Sequence, residues 1–154
     1  MNRTISAFAL ALFIGGTMLA ADTNNSVKST VDQLLTEARQ VKKTADDLSN
    51  RLKAKNADLT NLAEPFSMVE KGAANIQNLV GELHSANLTL NSKQKARLDN
   101  TKALAELMNV FVVNKKNLLA DGASAEDREQ LRANAMSVAK RAELIEANLL
   151  RMGL

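Results

Sequence analysis

Cysteine, tryptophan and tyrosine are all absent from the 154 residues, and proline and histidine each occur once. Without cysteine there is no disulfide framework, no thiolate metal site and no covalent haem attachment. One histidine, His84, is too few for the paired Glu-x-x-His ligands of a di-iron bundle or for a histidine-rich zinc site. Only four phenylalanines are present, two of them within the first 13 residues, so a core must be assembled from Leu, Val, Ile, Ala and Met. Six glycines, none in a strand-turn-helix setting, exclude a phosphate-binding loop and a nucleophile elbow. Ser85 adjoins His84 in sequence and points to a different side of a helix, so the two do not form a catalytic pair. Charge is also scarce in excess, at +3 for the chain.

Asn2 and Arg3 are followed by an apolar run from Ile5 to Leu19, then by Ala20, Ala21 and the polar Asp22. This is the layout of a secretory signal peptide, and the run falls short of the roughly 20 apolar residues a membrane-spanning helix needs. A signal peptide over 1–21 is therefore expected, with one domain over 22–154 exported to the periplasm or secreted. Retention of the segment as an N-terminal anchor is the alternative.

Beyond that segment the dominant signal is periodicity. Val27, Val31, Leu34, Ala38, Val41, Ala45, Leu48 and Leu52 alternate in steps of four and three, which puts them on one stripe of a helix. The pattern recurs at Leu59, Leu62, Phe66, Val69, Ala73, Ile76, Val80 and Leu83, and at Leu131, Ala135, Val138, Ala142, Ile145, Leu149 and Met152. These spacings predict an all-α fold, an antiparallel up-down four-helix bundle with coiled-coil-like heptad seams and helices over about 26–54, 62–87, 92–120 and 124–152.

Boundary signals set those limits. A first helix is expected to start between Asn25 and Ser29, with Ser29 and Asp32 as a capping box. Pro65 inside a continuous helix would cost about 3 kcal/mol but is tolerated in a first turn, so the stretch 55–64 is expected to break one long rod into a hairpin. Asn91 with Gln94, and Ser124 with Asp127, carry the spacing of helix starts, while Gly122 and Gly153 suit helix ends. The third helix is the least amphipathic, because Leu104, Leu107, Met108, Val110, Phe111, Val112 and Val113 spread around its circumference.

Candidate sites are few. His84 with Met108 is the weak candidate for a cofactor-binding pair, since a bundle can hold haem between His and Met; filling core gaps is the commoner use of Met. No cofactor and no catalytic residues are expected. The apolar block Val110, Phe111, Val112 and Val113 is expected to be buried in the middle of its helix, and is the candidate interaction surface if part of it is exposed. Basic groups cluster at Arg39, Lys42 and Lys43, at Lys93, Lys95 and Arg97, and at Lys115 and Lys116. A near-neutral chain without aromatic platforms is a poor nucleic-acid binder, and anionic envelope polymers or lipid headgroups fit these clusters better. The resulting expectation is an exported, non-enzymatic helical protein acting by protein–protein interaction, whether binding, scaffolding or chaperone-like shielding. A small-ligand or haem carrier and a membrane-surface component are the alternatives.

Overall fold

Helices account for every regular element in the computed structural model, which describes the backbone of residues 18–53, 60–113 and 124–154, with side chains from Asn25, Asn61 and Ser124 onward in the three stretches and to Met108 in the second. The order is α1 (Met18–Leu52), a single 3-10 turn (Thr60–Leu62), α2 (Ala63–Ser85), α3 (Ser92–Val113) and α4 (Ala125–Met152). Among the described residues there is no strand. Helix α1 packs against α4 and α2, and α3 packs against the same two partners, so the four helices close into a ring of contacts.

Burial follows the heptad stripes. Val31, Leu34, Ala38, Val41, Ala45, Leu48 and Leu52 are buried on α1, and Phe66, Val69, Ala73, Ile76, Val80 and Leu83 on α2. Leu131, Ala135, Val138, Ala142, Ile145, Leu149 and Met152 are buried on α4. On α3 the buried stripe is Leu98, Thr101, Ala105 and Met108, again in steps of three and four. Most of these side chains form one continuous core, and Leu48, Leu52, Leu62, Phe66, Leu131 and Ala135 make a second cluster where the end of α1 meets the starts of α2 and α4.

Small residues let the helices close on one another. Gly72 is buried against Val41, and a β-carbon at this position would collide with the Val41 side chain. Here the absence of a side chain sets the α1–α2 distance, which offsets the ordinary helix penalty of glycine, about 1 kcal/mol.

The helix ends differ in how they are closed. At Ser124 the hydroxyl accepts from the Asp127 backbone N–H at 3.1 Å and the Ser124 N–H donates to the Asp127 carboxylate at 2.8 Å, a reciprocal capping box. Asn91 and Gln94 exchange the same pair of bonds at the start of α3, both at 3.0 Å. Gly153 ends α4 in the left-handed conformation with φ 60°. Leu62 precedes α2 with no side-chain cap, and Pro65 lies in the first turn, where its missing N–H has no helical partner to lose.

One expected boundary is displaced. Helix α1 already runs from Met18, so Ser29 and Asp32 lie inside it and Thr30 donates back to the Ser26 carbonyl instead of capping. No glycine or proline interrupts 18–52, and a helix nucleated on the downstream stripe propagates through such a sequence at little cost per residue. The 3-10 turn and the fresh start at Ala63 interrupt the rod that continuous heptad phase would allow. The expected signal segment up to residue 17, and the stretches 54–59 and 114–123 with Leu59, Lys115, Lys116 and Gly122, lie outside the described residues.

Candidate functional site

The interior offers little chemistry. Leu34, Ile76, Met108, Leu131 and Ile145 have no exposed surface, and among the described residues the buried polar ones are Ser49, Thr101 and Asn148. Thr101 donates back to the Arg97 carbonyl at 2.8 Å, which satisfies its hydroxyl within its own helix. The Asn148 amide nitrogen is buried without a hydrogen-bond partner among the described residues. No group of three His, Cys, Asp or Glu capable of holding a metal occurs among the described residues, and none of the described helices is long and apolar enough to cross a membrane.

The structure does not bring His84 and Met108 together. His84 stands exposed at the end of α2, its Nε2 3.3 Å from the Asp99 carboxylate on α3. Met108 is fully buried nine residues beyond Asp99 along α3, about 13 Å at 1.5 Å per residue. Of the other methionines, Met68 and Met136 are exposed and Met152 belongs to the core. The His84–Asp99 pair bridges two helices in contact with water, a geometry that contributes about 0–1 kcal/mol.

Val110, Phe111, Val112 and Val113 form the last turn of α3, and their side chains lie outside the described residues. A surface that the sequence pattern did not single out lies just before them. Leu104 and Leu107, three apart, share one side of α3; Leu104 packs on the margin of the core and Leu107 remains 47% exposed. On α4, the helix against which α3 packs, Leu144 is 41% exposed. The signal was present in the sequence as leucines off the seam register, and was obscured because the α3 seam itself uses Thr101 and Ala105.

On the opposite side an open groove of about 760 Å³ runs along α1 and α2, lined largely by polar groups including Asn25, Asp32, Asn75 and Glu82. Its floor continues towards Gly72, and the Asn75 amide donates across it to Glu37 at 3.4 Å.

The basic clusters have unlike surroundings. Arg39 is engaged with Glu146 on α4 at 2.6 Å, and Lys42 pairs with Asp46 at 3.8 Å. Lys93, Lys95 and Arg97 make no ion pair among the described residues. The Asp127 carboxylate is held below its ordinary value by hydrogen bonds from the Ser124 hydroxyl and backbone. No protein-family model, no curated protein and no solved structure matches the chain.

Proposed function

We propose that the chain is an exported, non-enzymatic protein that works as an antiparallel up-down four-helix bundle and binds other protein through the outer surface of α3 and α4. The observation that carries the reading is the apolar surface left outside a filled core, at Leu107 and Leu144. Leucines at these exposures gain more from a partner surface than from water, and side chains packed to zero exposure at the centre leave the exterior as the place for recognition. The up-down order is supported by contacts between the end of one helix and the first part of the next or the reverse: Leu48 and Leu52 with Phe66, His84 with Asp99, and Gln94 with the Met152 carbonyl. Export is supported by the apolar run Ile5–Leu19 flanked by Arg3 and by Ala20 and Ala21.

A second copy of the chain is the first partner to test, because symmetric self-association is the commonest use of such a surface. Analytical ultracentrifugation of the wild type and of a Leu107→Glu, Leu144→Glu double variant decides it. An assembled wild type and a monomeric variant of unchanged helicity are expected. A monomeric wild type overturns self-association, and a variant that still assembles removes this surface from the interface.

A further inference from the structure

We propose that the end of the molecule where α2 turns into α3 is a docking face for an anionic lipid surface. Three helix ends meet there. Gln94 at the start of α3 donates to the last carbonyl of α4 at 2.8 Å, and His84 at the end of α2 meets Asp99 on α3. Leu88 and Leu90 of the connection between α2 and α3 pack against the main core. Lys28 stands with Leu79 and Glu82 along the adjoining groove.

This end collects Lys93, Lys95, Arg97 and Arg151, none of which makes an ion pair among the described residues. Asp99, two residues beyond Arg97, faces His84 instead, while Asp32 and Glu82 line the side groove. Lys93, Lys95 and Arg97 share the first two turns of α3, and the bond from Gln94 to Met152 brings Arg151 beside them, so the four act on a charged surface together, and clusters of four to eight are what anionic membranes attract.

The placement of three of the cations runs against the interest of the fold. Lys93, Lys95 and Arg97 occupy the first two turns of α3, within about 8 Å of its start at 1.5 Å per residue. Helix starts carry partial positive charge and favour acids, yet α3 has no acid in its first turn. A local rule broken without an internal partner marks a place where an external one is expected.

Exposed apolar groups beside the cations favour a lipid surface over a soluble polyanion. Leu150 and Leu154 flank Arg151 at 58% and 36% exposure, apolar groups able to enter the headgroup layer beside their cation.

Flotation of the full chain with phosphatidylglycerol/phosphatidylcholine vesicles and with phosphatidylcholine vesicles alone tests the proposal. Binding to the anionic vesicles at low salt, weakened by added salt, is expected. A Lys93→Gln, Lys95→Gln, Arg97→Gln variant should lose affinity on the order of a hundredfold. Its helicity should be unchanged and its Tm slightly raised, because cations have left the positive end of α3. Arg51→Gln with Lys53→Gln, at the far end of α1, should bind as wild type. Equal binding to both vesicle types, no binding to either, an unaffected triple variant, or charge-dependent binding confined to a soluble polyanion such as heparin would each overturn the proposal.

Discussion

Two glycines in one helix illustrate how a single side chain decides stability here. An added β-carbon meets the Val41 side chain at Gly72 and open space at Gly81. Valine is stiff at its first torsion and cannot swing aside cheaply, so Gly72→Ala should cost about 1–3 kcal/mol through overpacking. Gly81→Ala should instead stabilise by about 0.5–1 kcal/mol, because alanine loses less freedom on entering a helix. Urea denaturation of the two variants provides the comparison, and equal shifts would contradict the close approach of α1 and α2. Ser124→Ala should cost about 1 kcal/mol by opening the cap of α4. The cap also has a pH signature. Asp127 titrates lower in the folded chain than its ordinary 3.8, so its contribution is complete above the unfolded value and is lost as pH falls through the folded one. Asp127→Asn should therefore flatten the acid limb of a Tm–pH profile.

At the level of whole helices, the stripes of α1, α2 and α4 were legible in the sequence because nearly every seam position carries Leu, Val, Ile, Met or Ala. Helix α3 was not. Its seam places a hydroxyl at Thr101 and a methyl at Ala105, while Leu104 and Leu107 lie off the register, so the period dissolves among side chains of similar polarity. The start of α1 was misplaced for a related reason: Asn25, Ser26 and Ser29 are competent caps, but a cap acts only where the upstream chain leaves the helix, and nothing in 18–25 compels it to. The surface leucines were missed because a leucine out of phase looks the same in sequence whether it is half-buried, as at Leu104, or exposed, as at Leu107. Met108 is the anchor of the α3 seam, and Met108→Ala should destabilise by about 2–5 kcal/mol. Leu107→Ala, on the exposed side, should stay within about 0.5 kcal/mol for the isolated chain, and thermal melts of both variants would check the contrast.

The whole molecule relies on apolar packing, with ion pairs confined to its surface and no covalent tie. The core divides into a long cluster shared by all four helices and a smaller one around Phe66, the single buried aromatic among the described residues. Phe66→Ala should cost about 3–5 kcal/mol, since no other ring lies in that cluster to fill the space. If copies associate through α3 and α4, the melting temperature should rise with protein concentration, as mass action requires for anything that binds the folded state alone. A melting temperature independent of concentration would speak against association under those conditions.

Gln94 takes part in both the cap of α3 and the closure of α4, through a bond that spans 58 residues of chain. Its local half, with Asn91, is available as soon as α3 nucleates, whereas its remote half exists only after the end of α4 has arrived. The side chain therefore acts as a latch on a late event. Gln94→Ala should speed unfolding while leaving the refolding limb of a chevron plot nearly unchanged, which would make the lifetime of the folded state, more than its rate of formation, depend on one amide.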